Sequence, residues 1–365
     1  MSVERQANKP ITKIVRKQDL FRKTINMDKS EFEKRLQSIV IPGGTPQNDL
    51  VRILAPISEA ITQMMPRSLF RFRTCSKMQI DAFKKDELYA VTADKFNDPY
   101  DTLVRYDKEG IKQSIASFLT CEALRQLKVF FEQGNDFPDE VKKILSRDVT
   151  DSIKNSLMLM PDDDSLKQYI EARKHQMLSL IDIYFPLLAE YSKRFQTIAC
   201  LCESIESVVM WSHYAQNHQG FALEYNLRDT LTHPIKNVGI YPVIYNEERL
   251  DVSIYMVWGF LMMIGINSPI PDMLSSMKIA LHKSKQWEYE KEWRLIDSTI
   301  RDYTSDEPSV IHIKPTAIYY GQRIAKEDKE KLHTIALEHG IREYDMYIDY
   351  SSPEYKMLNK PLQSK

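Results

Sequence analysis

The spacing of apolar residues divides the chain into a helical preface, a β-rich region and a helical block set inside it. Residues 30–40 (SEFEKRLQSIV) put Phe32, Leu36 and Ile39 on one helical face, with Ser30 as N-cap and Glu33 three residues on. Pro42, Gly43 and Gly44 end that pattern, and DLVRILAPISEAITQMM resumes it. The texture changes at Arg67. SLFRFRT alternates and reads as a strand, MQIDAFKKDELYAV as a short helix leading into a second strand, and TADKFNDPYDT as a loop dense in Asp, Asn and Pro.

Residues 108–195 carry helical periodicity interrupted by the breakers GNDFPD and PDDDS. From 196 the strand pattern returns in TIACLCES, GFALEYN and VGIYPVIYN, with MWSHYAQNHQ as a short helix between the first two. Residues 251–285 read as helical, then EWRLIDST, SVIHIK and AIYYGQRI as strands. EDKEKLHTIALEHG is a helix with an acidic start and Gly340 as its stop, and REYDMYID is a closing strand. The expected organisation is a helical extension over 1–66, a core domain over 67–350 interrupted by a helical insertion at 108–195, and a tail over 351–365. The expected fold class is α+β, a mixed and mainly antiparallel sheet with helices around it.

Charge narrows the function. The chain has 50 Lys+Arg against 51 Asp+Glu, which argues against a dedicated nucleic-acid binder and leaves room only for a local basic patch. Glycine is scarce, and neither GxGxxG nor GxxxxGK[ST] occurs. Cys75, Cys121, Cys200 and Cys202 form no disulfide framework, and MSVERQANKP lacks an apolar signal core, so a reducing cytoplasm is expected. The longest apolar run, near 252–266, falls short of the roughly 18–20 residues that span a bilayer, so it reads as a buried helix and no membrane association is expected.

Four clusters carry candidate chemistry. In FNDPYD, Asn97 and Asp98 build a turn for local reasons, with Phe96 and Tyr100 as its core anchors; Asp98 or Asp101 could instead face a site. In CLCESIESVVMWSHYAQNHQG, Trp211 belongs in the core, Cys200 and Cys202 share a strand face as buried thiols, and His213 and His218 are five apart, which is the wrong spacing for a helical zinc pair. No resident metal is assigned. In KSKQWEYEKEWRLI, an extended 288–294 would line up Glu288, Glu290, Glu292 and Arg294 on one face, with Tyr289, Lys291 and Trp293 on the other. Such a row raises carboxylate pKa values and invites a cation. In FRFRT, Arg71 and Arg73 share a face and could clamp a phosphate or pyrophosphate, or could be exposed arginines on an edge strand.

Together these words resemble the bacterial domain-of-unknown-function family 2971. The resemblance runs from about Leu69 to Gly321 through LFRFR, FNDPYD, MWSHYAQNHQGFALEY, YPVIYN, KSKQWEYEKEWR and the glycine of IYYGQRI. It departs in the N-terminal extension and the insertion at 108–195. The resemblance implies a bacterial cytoplasmic setting, in some members phage defence or mobile elements, and no mechanism.

The layout is also similar to that of ADP-ribosyltransferases, which implies NAD as cofactor. Arg71 or Arg73 would then hold the pyrophosphate, with Ser204 after a middle strand. Tyr289 or Tyr214 would stack on nicotinamide, His213 and Tyr214 would wall the pocket, and Glu290 or Glu292 would be the catalytic carboxylate. The Ser-Thr-Ser triplet of that superfamily is missing. Arg294 is expected either to bind substrate or to pair a buried carboxylate. The expected partners are a small-molecule nucleotide and a protein reached through the extension or insertion. Two alternatives stand: a metal-dependent nuclease built on Asp98, Asp101, Glu290, Glu292 and Lys291, and a non-enzymatic sensor module.

Overall fold

The computed structural model describes residues 28–362 apart from 119, 138–141, 143–146, 229–237, 264–269 and 300–304. The first 27 residues of the expected extension lie outside it, as does the end of the apolar run at 252–266.

The apolar faces read from the sequence meet around one mixed, mostly antiparallel sheet, so the fold class is α+β. The sheet begins with β1 (Leu69–Arg73), β2 (Glu87–Thr92), β3 (Thr197–Cys202) and β4 (Phe221–Tyr225). It is completed by β5 (Val238–Pro242), β8 (Glu292–Asp297), β9 (Ser309–His312), β10 (Ala317–Tyr320), β11 (Arg342–Tyr347) and β12 (Leu358–Pro361). Two short strands, β6 (Ile244–Asn246) and β7 (His282–Ser284), pair in parallel beside it. β1 lies between β3 and β4 and is therefore central, which removes the edge-strand reading of Arg71 and Arg73.

The sheet forks at β3. One side of β3 pairs along its whole length with β8. The other side is divided: β1 meets it only at Cys202, and β2 only at Thr197 and Ile198. The fork leaves mid-strand carbonyls without a ladder partner, and buried carbonyls must find donors elsewhere. Arg71 supplies them, donating to the carbonyl oxygens of Cys200 at 2.7 Å and Tyr89 at 3.2 Å.

Helices α1 (Lys29–Ser38) and α2 (Gln47–Met64) pack onto the main core through Phe32, Leu36, Ile57 and Ile61. The cap of α1 is Asp28, which accepts the Glu31 amide at 2.8 Å; Ser30, expected as the cap, lies one residue inside the helix. α3 (Lys77–Lys84) follows β1. The block after β2 forms α4 (Lys108–Phe118), α5 (Cys121–Glu132), α6 (Arg147–Met158) and α7 (Asp163–Ser192). These helices build a core of their own, which α9 (Ser253–Met263) joins through Met256 and Phe260. No helix among the described residues is long and apolar enough to cross a membrane.

α8 (Val208–Tyr214) buries Trp211 completely, edge-on to Phe72 at 5.0 Å. After it, Gln216, Asn217 and His218 all take left-handed backbone conformations, with φ of 49°, 53° and 69°. This turn brings the chain so close to its neighbours that a Cβ on Gly220 would lie 2.0 Å from the Arg73 carbonyl oxygen. A Cβ on Gly321 would lie 2.3 Å from the carbonyl oxygen of His218. The glycines of NHQG and IYYG are thus packing requirements of one junction. α10 (Ser275–Leu281) leads into β7, and α11 (Lys326–His339) ends at Gly340 with φ 64°, as its sequence implies. The stretch read as a tail contributes β12, which pairs antiparallel with β11.

Candidate functional site

Two chain segments deliver the carboxylates of the site. The 3-10 turn Lys285–Glu290 ends at Lys291, whose φ of 46° is left-handed, and β8 starts at Glu292. Residues 288–294 are therefore not one extended strand, contrary to the alternation reading. Glu288 is exposed, while Glu290 and Glu292 are buried on either side of the bend. The FNDPYD loop forms a tight turn in which Asp98 accepts the Tyr100 amide at 2.9 Å. That turn sets Asp101 into the interior. Of the two expected anchors, Phe96 packs half-buried, 5.6 Å from the Arg294 guanidinium, while Tyr100 is 61% exposed.

The carboxylates converge on two cations. Lys283 of β7 places Nζ 2.5 Å from Oε2 of Glu290, 2.8 Å from Oε2 of Glu292 and 3.5 Å from Oδ2 of Asp101. Arg294 of β8 is fully buried. It donates through Nε to Glu292 at 2.8 Å, through Nη2 to Asp101 at 2.7 Å, and through Nη1 to the carbonyl of Ala280 at 2.6 Å. The Tyr214 hydroxyl donates to Oε1 of Glu290 at 2.6 Å and accepts from the Asn97 amide at 3.3 Å. The Tyr245 hydroxyl accepts the Glu292 amide at 2.8 Å.

This arrangement separates the two glutamates electrically. Burial pushes the Glu290 carboxyl above its ordinary range, against the pull of Lys283. Burial acts on Glu292 the same way, but Arg294 and Lys283 together outweigh it and hold that carboxyl well below the carboxylate range. Asp101 is raised by burial, opposed chiefly by Arg294. Burial would lower Lys283, yet the carboxylates around it, Glu292 foremost, raise it well above an ordinary lysine. Glu292 is thus the carboxyl held toward its anionic form, while Glu290 and Asp101 are both pushed toward their protonated forms. Pairs pushed apart in this way are the usual material of acid–base catalysis.

A cavity of about 290 Å³ opens onto this network. Glu290, Glu292, Lys283, Asp101, Tyr214 and Asn97 form its polar end, and Phe70, Phe72, Leu201 and Met210 contribute apolar wall. Arg71 and Arg73 line it as well, but differ in what they hold. Arg71 is committed to the two carbonyls of the sheet fork, whereas among the described residues Arg73 donates only to the Phe72 carbonyl, at 3.3 Å. The thiols of Cys200 and Cys202 also line the cavity, burial pushing Cys202 up to about 12 and Cys200 well above its ordinary value.

The remaining sequence candidates fall outside this cavity. Ser204 belongs to a turn in which its hydroxyl accepts the Glu206 amide at 3.1 Å. His213 is exposed and stands 3.5 Å from the Tyr289 hydroxyl, which is itself on the surface. Asp98 lines a second cavity. Lys291, offered to the nuclease alternative, is exposed. The three buried carboxylates point at Lys283 and Arg294, which hold the position a divalent ion would need, and no metal-holding group of His, Cys, Asp and Glu occurs among the described residues. Lys283 is the central residue that the sequence reading did not single out. It opens the KSKQWEYEKEWR word, where one lysine among many charges carries no distinguishing local signal.

No curated protein and no solved structure matches the chain. A family model described as a protein of unknown function (DUF2971) matches residues 210–295. The match spans most of α8 through most of β8 and includes Tyr214, Lys283, Glu290, Glu292 and Arg294, so the chain resembles that family through the stretch that builds the carboxylate–lysine centre.

Proposed function

We propose that the cavity is the active site of an enzyme acting on a nucleotide-type ligand, NAD in the first instance, and that Glu290 is its catalytic carboxylate. The observation that carries this reading is the pairing of Glu290, buried and raised yet held by Lys283 and Tyr214, with the Arg73 guanidinium on the same cavity.

In this reaction the bond between ribose C1′ and the nicotinamide nitrogen breaks. The electron pair leaves with nicotinamide, whose ring nitrogen loses its positive charge, so the leaving group needs no proton. An acceptor hydroxyl, or water, forms the new bond to C1′ and gives its proton to Glu290. Ionised Glu290 also faces the oxocarbenium-like charge that develops on the ribose. Lys283 and Tyr214 orient the carboxylate, Glu292 keeps Lys283 charged, and Arg73 binds phosphate. The volume sits at the lower end of the roughly 300–1,000 Å³ typical of ligand sites, which suits one ring and its sugar rather than an enclosed dinucleotide.

A binding-module reading draws on the complete burial of Arg294 and the commitment of Arg71 to backbone carbonyls, since both residues then serve folding alone. Melting temperature with NAD, with ADP-ribose, and with Mg²⁺ plus short nucleic acid separates the readings, because a ligand of the folded state raises it. A rise with NAD or ADP-ribose supports the proposal. A rise with metal and nucleic acid alone, or with none of them, counts against it.

A further inference from the structure

The first cavity, at about 290 Å³, has room for one ring and its sugar, so the other half of a dinucleotide has to lie outside it. A row of aromatic rings leads outward from Glu290. Tyr214, whose hydroxyl donates to Oε1 of Glu290 at 2.6 Å, is half-buried. Its ring centroid is 6.1 Å from that of His213, His213 is 6.4 Å from Tyr289, and Tyr289 is 6.0 Å from Trp287. His213 and Tyr289 are exposed, Tyr289 by 39%, and Trp287 is half-buried.

Folding accounts for the inner ring of this row and not for the outer ones. Tyr214 packs against the core that holds Trp211 and Phe72, whereas neither Tyr289 nor Trp287 joins a hydrophobic core among the described residues. The Tyr289 hydroxyl and Nδ1 of His213 are 3.5 Å apart, at the outer limit of a hydrogen bond. The rings of His213 and Trp287 stand at 77° and 36° to that of Tyr289. Tyr289 therefore stacks in parallel with neither, and neither ring uses up its π-face. Two separate segments, α8 and the 3-10 turn Lys285–Glu290, thus bring aromatic side chains together on the surface beside the two residues, Tyr214 and Glu290, that reach the centre. An exposed aromatic face of this kind holds a flat ring by stacking, and it needs no charge to do so.

We propose that Tyr289, with His213 beside it, is the stacking platform for the outer base of a dinucleotide-type ligand, the adenine of NAD or ADP-ribose, whose ribose lies at Glu290. The assignment rests on the nucleotide reading of the first cavity and adds the part of the ligand that is recognised outside it. It puts Tyr289 at the opposite end of the ligand from nicotinamide. Stacking accepts any base, so the surface demands a second base and not a particular one.

The test is calorimetry on the full chain with ADP-ribose and with ribose 5-phosphate. The two share the sugar phosphate, differ in the adenylate, and carry no nicotinamide to be released. Tyr289→Ala should weaken ADP-ribose about 5- to 150-fold, the scale of one lost base stack, and leave ribose 5-phosphate unchanged. Tyr289→Phe keeps the ring and should keep the parental affinity for ADP-ribose. Both variants should melt with the parent, because surface substitutions change stability little. Should ribose 5-phosphate bind too weakly to titrate, the contrast between Tyr289→Ala and Tyr289→Phe on ADP-ribose decides. Unchanged ADP-ribose affinity in Tyr289→Ala overturns the proposal and leaves the reading of the cavity standing. Equal weakening of both compounds does the same, since the ring would then serve the sugar end. A parent protein that binds neither compound overturns the nucleotide reading itself, and this assignment with it.

Discussion

Lys283 Nζ lies 2.5 Å from Oε2 of Glu290, and both residues are more than nine-tenths buried. An ion pair this deep contributes little over apolar packing of the same shape, but breaking it from one side strands the partner's charge. Lys283→Met leaves Glu290 and Glu292 facing each other with only Arg294 to neutralise Glu292 and Asp101. Denaturant unfolding at neutral pH should show a loss of about 3–5 kcal/mol. Adding Glu290→Gln to Lys283→Met should restore part of that loss, because one of the stranded charges is gone. Equal stability of the single and double variants would show that the two residues are not coupled.

The same network fixes how stability follows pH. Glu292 is depressed below its ordinary 4.5, so its contribution is complete above about pH 4.5 and is lost as pH falls through its folded value. Glu290 and Asp101 are raised; their protonation during the same descent relieves repulsion and offsets part of the loss. Lys283 is raised above 10.5, so its contribution is complete below that value and is lost as pH climbs through its folded value. Tyr214 and Tyr245, both raised by burial, steepen the alkaline side with the same sign. Unfolding free energy should hold a plateau between, and Lys283→Met should flatten the alkaline limb. An unchanged alkaline limb in that variant would contradict the assignment of Lys283.

The two arginines of β1 should behave differently although they occupy equivalent places in LFRFR. Arg71→Ala leaves the carbonyls of Cys200 and Tyr89 unpaired, and should cost about 1–3 kcal/mol in unfolding experiments. Arg73→Ala should change stability by less than about 0.5 kcal/mol, as for side chains outside such networks. It should instead raise KM for a phosphate-bearing substrate. A large stability loss in Arg73→Ala with unaltered KM would assign it a folding role.

At the junction behind α8, Gly220→Ala and Gly321→Ala drive a methyl group into backbone oxygens that cannot rotate away. Each should cost at least about 1–3 kcal/mol, the usual scale of overpacking. Gly259→Ala is the control: a Cβ there meets no atom within 4 Å, and its melting temperature should not fall.

Local signals carried much of this structure into the sequence. The turn of FNDPYD, the buried Trp211 and the αL stop at Gly340 each follow from residues within a few positions of one another. The carboxylate centre depends on more distant geometry. The 3-10 turn Lys285–Glu290 and the left-handed Lys291 that closes it break the alternation that would have put Glu288 beside Glu290 and Glu292, and no side-chain pattern announces that bend. Lys283 comes from a different strand, and its role exists only once β7 lies against β8's start. Arg71 and Arg73 each follow a phenylalanine and share a strand face; the fork at β3, a property of the whole sheet, decides which one is spent on backbone. β12 escaped notice because LNKP has no strand alternation of its own and is recruited by pairing with β11.

The most direct measurement of the central claim is nicotinamide release from NAD by the purified protein and by Glu290→Gln, with circular dichroism confirming the fold of both. The parent protein should release nicotinamide, with an acid limb displaced above the ordinary carboxylate value because Glu290 is raised. The variant should lose about 10²–10⁴-fold of that rate, the scale of a removed catalytic acid–base group. A folded Glu290→Gln that releases nicotinamide at the parental rate would contradict the claim.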